Sequence, residues 1–318
     1  MVGIRILKEI PLSVLSSLES LDLELKENHD NEDVVNALQS TALKGGKRFR
    51  PLLVFLMGEL ASVESTLIRP YARAIEMVHA ASLCHDDVID GSTLRRGRPT
   101  LNVATSNKKA VLAGDYLLAQ VIVDLCKEGN LEALEMLSEV IQDLSQGEWI
   151  QEDLSLKKFD EILEEEIILV AKKKTASVMS WCMSIPFLFT DKTMKRDLFL
   201  QAKYIGMEFG IAFQAIDDLL DFQESSQKEQ TLDWQNGVMG RVLYEYRQLG
   251  GDLGSADLKE ELLAEAKKSV YQKASTQIAS CKKALGELTA ELGSLNSKQL
   301  KAKEALLFLM DYLLERKL

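Results

Sequence analysis

The sequence predicts an all-α protein, a large helical bundle, and three observations support this. Apolar residues recur at intervals of three and four along most of the 318 residues. Glycine and proline number only 18 and five, so turn-forming residues are scarce. No stretch alternates apolar and polar residues between turn signals, as a strand would. A sandwich or propeller, which needs a turn about every ten residues, is therefore disfavoured.

Several of the predicted helices exceed 20 residues, which suits a bundle better than α/β layers. In chain order, helical periodicity marks residues 50–63, 70–89, 107–128, 130–147, 160–187, 193–223, 257–291 and 297–316. Polar or glycine-rich interruptions lie at 91–100, 223–230 and 249–257. No proline- or serine-rich linker divides the chain, so we expect one domain over residues 1–318.

Charge and cysteine usage exclude some functions. With 49 acidic and 38 basic residues the net charge is −11, which disfavours binding to nucleic acid. The four cysteines have no metal-ligand spacing and are typical of free thiols in a reducing compartment. Arg5, Lys8 and Glu9 interrupt the stretch where a signal peptide would be apolar. Since residues 176–190 are too short and polar for a membrane span, we expect a cytoplasmic protein without a transmembrane segment.

Two aspartate clusters share the spacing DDxxD near the ends of predicted helices. They consist of Asp86, Asp87 and Asp90, and of Asp217, Asp218 and Asp221. Offsets of one and four put three carboxylates toward one side of a helix, where they repel each other unless a cation binds. Mg²⁺ combines a few carboxylate oxygens with phosphate oxygens. A solvated acidic face is the alternative, but both clusters are flanked by apolar residues, so we favour magnesium sites.

Basic residues beside glycine-flanked turns indicate oxyanion sites. These are Lys47, Arg48 and Arg50 in GGKRFRP, Arg95, Arg96 and Arg98 in RRGRPT, and the lysines 172–174 before Thr175. His79 lies two turns before Asp86 on the same predicted helix. By itself it is as readily a structural histidine as a site residue.

In combination these motifs resemble the trans-polyprenyl diphosphate synthases, a family of head-to-tail isoprenyl diphosphate synthases. The similar segments are GGKRFRP (45–51), IEMVHAASLCHDDVIDGSTLRRGRPTLN (75–102), AVLAGDYLLAQ (110–120), QGEWIQ (146–151), KKTAS (173–177) and FGIAFQAIDDLLDF (209–222). They cover a core at about 40–240, followed by helices at about 257–316. Class I terpene cyclases also carry one DDxxD, but GGKRxRP and RRGxPT favour the synthases.

The resemblance implies an isoprenoid-synthase bundle around a central active-site cavity, usually in a homodimer. It also implies a reaction in which three Mg²⁺ ions link the two aspartate clusters to the diphosphate of an allylic substrate. Loss of that diphosphate leaves an allylic cation, which the alkene of isopentenyl diphosphate attacks. Proton loss then gives a longer allylic diphosphate.

The resemblance assigns a role to each matching residue. By this resemblance the metal ligands are Asp86, Asp90 and Asp217. Asp87, Asp218 and Asp221 support them. These six aspartates and Lys174 are the expected catalytic residues. The residues that match the allylic diphosphate site are Arg95, Lys174, Thr175, Gln214 and Lys228. Those that match the isopentenyl diphosphate site are Lys47, Arg50, His79 and Arg96.

The sequence departs from the family after the second cluster, where the pattern is GKxxGxDLxxGKxT. Aligned from Lys228, the second lysine falls on Val238. The missing charged contact to the diphosphate is worth about 1.5–3 kcal/mol, and Arg241 is a nearby substitute. A non-catalytic regulatory subunit of a hetero-oligomeric synthase would also explain the loss. Six retained carboxylates favour an enzyme.

Product length is predicted from the helix before the first cluster. Ala81 and Ser82 are small where short-chain members of the family carry bulky aromatics. The next residue in line with Asp86 is Ile75, about 16 Å down the helix, where a deeper floor can begin. We expect a product longer than C15, of about C30 to C45, with geranylgeranyl diphosphate as the alternative. Close helix packing is the other explanation for the two small residues.

Overall fold

The structure is a computed structural model that describes residues 8–26, 29–95, 97–190, 195–224, 239–254 and 258–316. This part of the chain is helical apart from turns, loops and one short ribbon, which confirms the all-α prediction. Within it, none of the helices combines the length and apolar character that crossing a bilayer requires.

The helices vary from a single turn to more than eight turns. In chain order they are α1 (Leu12–Glu19), α2 (Glu32–Ser40), α3 (Phe49–Leu60), α4 (Ser65–Ile89), α5 (Leu101–Ala104), α6 (Asn107–Glu128), α7 (Leu131–Ser155), α8 (Glu164–Ala171), α9 (Ser177–Ser184), α10 (Lys195–Glu224), α11 (Arg241–Gln248), α12 (Glu260–Glu291) and α13 (Ser297–Glu315). Between α4 and α5, strands β1 (Leu94–Arg95) and β2 (Arg98–Pro99) pair antiparallel.

The described chain divides into two compact units. The first is Met1–Ser138 with Ile185–Thr190, and the second is Glu139–Ser184 with Asp191–Leu318. In the first unit α4 packs against α3 and α6, and in the second α10 packs against α9 and α12. The first cluster therefore belongs to the first unit and the second cluster to the second.

Five of the eight predicted helices lie within three residues of their observed ends, whereas α4 begins five residues early, at Ser65, and α7 ends eight residues late, at Ser155. Helices α1, α2, α5 and α11 were not predicted. Pro70 lies inside α4. Proline has a φ angle that suits a helix but no N–H, so the helix continues with one backbone hydrogen bond fewer. The helix ends at Asp90 and Gly91, and Gly91 has φ +63°, a left-handed conformation that favours glycine.

The predicted helix 160–187 is wrong as a continuous element. The structure has a 3₁₀ turn at Phe159–Glu161, α8, a π-helical turn at Lys172–Ala176, α9 and a second 3₁₀ turn at Ile185–Phe189. The π turn inserts an extra residue into the helical repeat and so changes the direction of the side chains that follow. It contains the lysines and Thr175 that were predicted to bind diphosphate.

Two glycines allow α10 to approach the π turn and α9 closely. A Cβ added to Gly210 would lie 2.4 Å from Cα of Ala176, and one added to Gly206 would lie 2.5 Å from Cα of Ser180. Both distances are shorter than real Cβ contacts allow. The second aspartate cluster lies two turns after Gly210, so this close packing sets its position relative to Thr175.

Candidate active site

The first aspartate cluster occupies the last turn of α4. The backbone N–H of Asp90 donates to the carbonyl of Asp86 over 2.8 Å, so these two residues lie one helical turn apart. Asp86 is half-buried and Asp90 is exposed, whereas Asp87 is only 4% exposed. The three carboxylates thus differ in their access to solvent.

Asp87 is bound by Arg95 from the β1–β2 ribbon. Nε of Arg95 donates a hydrogen bond to Oδ1 of Asp87 over 2.9 Å, and Nη2 forms an ion pair with the same oxygen at 2.8 Å. The loop before the ribbon is fixed by Asn102, whose side-chain amide donates to the carbonyls of Asp87 and Ser92 over 3.1 and 3.2 Å. The predicted diphosphate-binding arginine therefore lies beside the first cluster and holds its central carboxylate.

The sequence prediction did not include His85, which also lies beside this cluster. Its Nε2 lies 3.1 Å from the carbonyl of Val111 and 3.4 Å from Oδ1 of Asp115. A Cβ on Gly114 would lie 2.2 Å from the same nitrogen, so the imidazole occupies space that only glycine leaves open. The sequence signal that could have pointed to His85 is the AVLAGDYLLAQ motif, because it contains Gly114 and Asp115.

The GGKRFRP loop approaches His79. Gly45, which has φ +86°, lines a small pocket together with His79 and Glu76. Arg48 turns away, because its guanidinium donates to the carbonyls of Leu18 and Leu21 over 3.2 and 2.7 Å. Lys47 is exposed and Arg50 is half-buried. The structure thus brings His79 to the predicted basic loop and gives Arg48 a structural role.

In the second cluster Asp218 is held by protein donors. It accepts hydrogen bonds from Nε2 of Gln214 over 2.9 Å and from the backbone N–H of Arg241 over 3.1 Å. Burial raises the pKa of Asp218, and these two hydrogen bonds oppose that rise. Asp218 therefore links α10 to the start of α11.

Asp217, the predicted metal ligand of this cluster, contacts the end of α13. Its Oδ1 accepts a hydrogen bond from Nη1 of Arg316 over 2.8 Å. Nothing in the sequence pattern indicated Arg316, which is separated from Asp217 by 99 residues.

Thr175 and Gln214, predicted to bind the same diphosphate, are in direct contact. Oγ1 of Thr175 donates to Oε1 of Gln214 over 2.7 Å. Because Gln214 also donates to Asp218, a continuous hydrogen-bonded row joins the π turn to the second cluster. Thr175 was predicted from one motif and Gln214 and Asp218 from another, and the fold places the three residues together.

The QGEWIQ motif on α7 holds the neighbouring lysines. Nζ of Lys174 forms an ion pair with Glu148 and donates to Oε1 of Gln151 over 3.1 Å. A Cβ on Gly147 would lie 2.7 Å from Cγ of Lys174, so glycine there admits the lysine stem. Glu148 and Gln151 thus position the ammonium group of Lys174. The sequence analysis assigned neither of them a role.

Arg241, the predicted substitute cation, is buried, with 9% exposed. Burial lowers the pKa of its guanidinium, and the nearby carboxylates of Asp218, Glu164, Glu245 and Glu208 oppose that change. Its charge thus faces several acidic groups of the protein. Arg96, Lys228 and Val238, together with the side chain of Asp221, lie outside the described residues.

The three chain-length residues differ in their surroundings. Ala81 and Ile75 are fully buried, so neither borders space that a water molecule enters. Ser82 is half-buried, and its hydroxyl donates to the carbonyl of His79 over 3.0 Å. Ser82 is therefore the accessible member of the set, and the roles of all three stay predictions.

The carboxylates fit magnesium, although no three metal-binding side chains of the described residues form a ready-made site. Asp86, Asp90 and Asp217 offer hard oxygen donors that are at least partly accessible. Mg²⁺ commonly binds through one or two carboxylates and takes its other ligands from water and substrate phosphate. Each cluster can thus contribute ligands without forming a closed site.

The sequence of residues 31–280 matches the profile of the family described as Polyprenyl synthetase. The chain belongs to this family. That membership confirms the resemblance that the motifs suggested.

Relatives within the polyprenyl synthetase family match a large part of the chain. Solanesyl diphosphate synthase 1, chloroplastic, from Arabidopsis thaliana is 35% identical over 69% of this chain and 56% of that protein. A prenyl transferase from Synechocystis is 40% identical over 56% of this chain and 55% of that protein. The chain thus spans little more than half the length of these curated relatives.

Solved structures show the same fold. A decaprenyl diphosphate synthase from Rhodobacter capsulatus superposes with a TM-score of 0.80 at 24% identity, over 98% of each chain. At this identity the likeness concerns the polyprenyl synthetase fold alone.

Proposed function

We propose that the protein is a trans-polyprenyl diphosphate synthase that elongates an allylic diphosphate with isopentenyl diphosphate in the presence of Mg²⁺. One observation carries the proposal: the hydrogen-bonded row from Thr175 through Gln214 to Asp218, beside the predicted metal ligand Asp217. Hydroxyl, amide and carboxylate groups in this arrangement suit a metal-bound diphosphate. Family membership supports the same chemistry.

Asp86, Asp90 and Asp217 would hold magnesium, up to three ions by family resemblance. Bound Mg²⁺ would assist loss of the allylic diphosphate by withdrawing negative charge. Lys174, Thr175 and Gln214 would bind that diphosphate, as would Arg95 and Lys228. Glu148 and Gln151 would aim Lys174 by their contacts with its ammonium group.

Isopentenyl diphosphate would bind at the GGKRFRP loop. Lys47 and Arg50 supply positive charge there, and His79 shares a pocket with Gly45 of the same loop. Arg96 would complete the site by resemblance. Arg48 is excluded from this role by its bonds to two backbone carbonyls.

The product would be longer than C15, of about C30 to C45, because Ser82 adds little bulk below the first cluster. The curated relatives include proteins named solanesyl diphosphate synthase, which supports a long-chain product. Since Ile75 is fully buried, a growing tail that reached it would have to displace neighbouring side chains. Geranylgeranyl diphosphate is the shorter alternative.

The partner we propose is a second copy of the chain, bound through α6. Val111 and Leu112 are exposed on this helix, as are Ile122 and Val123. Each pair recurs after 11 residues, which is three turns, so the four side chains form one apolar stripe. Replacing Leu112 and Val123 by Glu should convert a dimer to a monomer in sedimentation experiments. A wild-type chain that sediments as a monomer would contradict this assignment.

A cytoplasmic location is part of the proposal. All four cysteines lie in the described part of the chain and all are free thiols, as a reducing compartment favours. Burial raises the pKa of Cys84 and of Cys281 to about 12 each, so neither is a reactive thiolate.

The enzyme proposal is tested with the purified chain alone. It should add isopentenyl units to geranyl, farnesyl or geranylgeranyl diphosphate when Mg²⁺ is present. A regulatory subunit would add none to any of these primers, and it would need a second protein for activity.

A further inference from the structure

A basic side chain from α13 lies on the second aspartate cluster. Arg316 donates from Nη1 to Oδ1 of Asp217 over 2.8 Å. Its guanidinium carbon lies 5.1 Å from the ring centroid of Phe213, one turn before Asp217 on α10. The side chains of Arg316 and Asp217 are 22% and 36% exposed, so the ion pair is reached by solvent.

This contact places an arginine on a predicted metal ligand. A guanidinium and Mg²⁺ compete for the same carboxylate oxygen because both are cations. Ion pairs with this exposure contribute little to stability, so a metal ion can displace the arginine at small cost. The aromatic face of Phe213 attracts the guanidinium independently of Asp217 and would keep it nearby after displacement.

A displaced Arg316 would lie next to a diphosphate. Asp217 would hold Mg²⁺, an ion that prefers phosphate oxygens among its further ligands. The planar guanidinium group of arginine can donate two parallel hydrogen bonds to phosphate oxygens. The site also lacks a cation by comparison with the family pattern, because Val238 stands where a lysine is expected. Arg241 is less accessible to a diphosphate than Arg316, because only 9% of it is exposed.

We propose that Arg316 is a diphosphate-binding residue. In the structure it pairs with Asp217, and in a complex with Mg²⁺ and diphosphate it would turn to the phosphate oxygens. Arg316 thus supplies the positive charge that Val238 cannot, and α13 becomes part of the allylic site. This inference rests on the proposed function, since it requires a magnesium–diphosphate complex at Asp217.

The test measures binding without turnover. Pyrophosphate is titrated calorimetrically into the full chain in excess Mg²⁺, and Mn²⁺ alone is titrated by electron paramagnetic resonance. The variants are Arg316→Gln, Arg316→Lys and the control Lys301→Gln, which removes an exposed charge from the same helix. Melting temperatures of all variants are compared first, because the binding data apply to folded protein.

Arg316→Gln should weaken pyrophosphate binding about tenfold or more and strengthen Mn²⁺ binding up to about fivefold. The affinity of Arg316→Lys for pyrophosphate should lie between those of the wild type and Arg316→Gln, because lysine keeps the positive charge but loses the planar guanidinium group. Lys301→Gln should match the wild type. These opposite directions for anion and metal distinguish a diphosphate ligand from a residue that only stabilises the fold.

Unchanged pyrophosphate affinity in folded Arg316→Gln would overturn the inference and leave the proposed function standing. Tighter binding of both pyrophosphate and Mn²⁺ would show that Arg316 only competes with metal, which also overturns it. If the wild type fails to bind pyrophosphate with Mg²⁺, the proposed diphosphate site itself is wrong, and the inference falls with it.

Discussion

Arg95 holds a single oxygen of Asp87 through a hydrogen bond from Nε over 2.9 Å and an ion pair from Nη2 at 2.8 Å. In the second cluster Asp218 is likewise fixed, by Gln214 and by the backbone N–H of Arg241. The second aspartate of each DD pair is therefore held by protein donors. The first of each pair, Asp86 or Asp217, is assigned to metal together with Asp90, and Asp217 also accepts a hydrogen bond from Arg316.

Arg95→Leu should destabilise the protein by about 3 kcal/mol, because it leaves the buried carboxylate of Asp87 without its charge partner. Thermal unfolding in metal-free buffer measures this. Arg98→Leu is the matched control, since Arg98 faces Arg95 across the β1–β2 ribbon and is exposed. Equal destabilisation by the two changes would mean that the Asp87 ion pair has no special role.

The predicted isopentenyl diphosphate site is tested by neighbouring basic residues of one loop. Lys47→Gln should raise the KM for isopentenyl diphosphate about tenfold, because it removes a charged hydrogen-bond donor from an exposed position. Arg48→Gln should instead lower the melting temperature, since it removes bonds to the carbonyls of Leu18 and Leu21. Steady-state kinetics with the allylic substrate saturating separates the two effects.

The assignment fails if Arg48→Gln raises that KM as much as Lys47→Gln does. It also fails if Lys47→Gln acts mainly on the KM of the allylic substrate.

The helices that follow from local signals were predictable from sequence. For α6 the predicted range 107–128 equals the observed one, because Ser106 accepts a hydrogen bond from the Lys109 N–H and Gly129 ends the helix in a left-handed conformation. The sequence did not predict that the helix expected at 160–187 is interrupted by the π turn at Lys172–Ala176. The interruption depends on the close approach of Gly210 to Ala176, a tertiary contact with no local pattern.

The candidate site likewise contains residues that the sequence predicts and a residue that it does not. Thr175 and Gln214 were predicted through motif resemblance, and the fold brings them into contact. Arg316 could not be predicted, because a charged residue in an amphipathic helix does not indicate a partner 99 residues away.

Close packing of α10 on the π turn gives a further prediction. Gly210→Ala should destabilise the protein by about 1–3 kcal/mol, since the added methyl meets backbone of Ala176 that cannot rotate away. Gly286→Ala should stabilise it by about 0.5–1 kcal/mol, because this glycine of α12 has open space around it. Chemical denaturation of both variants measures the difference.

If Gly210→Ala is as stable as Gly286→Ala, the close approach of α10 to the π turn is incorrect. The position of Gln214 beside Thr175 would then need revision.

Product length is tested at Ser82, which is half-buried, because Ala81 is fully buried and a Phe there should overpack the core. Ser82→Phe should shorten the product to C15 or C20 while turnover continues. Ser82→Ala, which removes the hydroxyl bond to His79 without adding bulk, should leave the length unchanged. Chromatography of the dephosphorylated products reads out both, and an unchanged length in Ser82→Phe would contradict the pocket assignment.

The central claim is that this chain elongates allylic diphosphates with metal held by Asp86 and Asp217. The most direct measurement incubates the purified protein with farnesyl diphosphate, labelled isopentenyl diphosphate and Mg²⁺, and determines the chain length of the labelled product. We expect products of about C30 to C45 from the wild type. Almost no product should form with EDTA, or with the Asp86→Asn or Asp217→Asn variant. Both variants should remain folded, because each relieves like-charge repulsion within its cluster. Absence of elongation with every allylic primer, or full activity in either variant, would contradict the account.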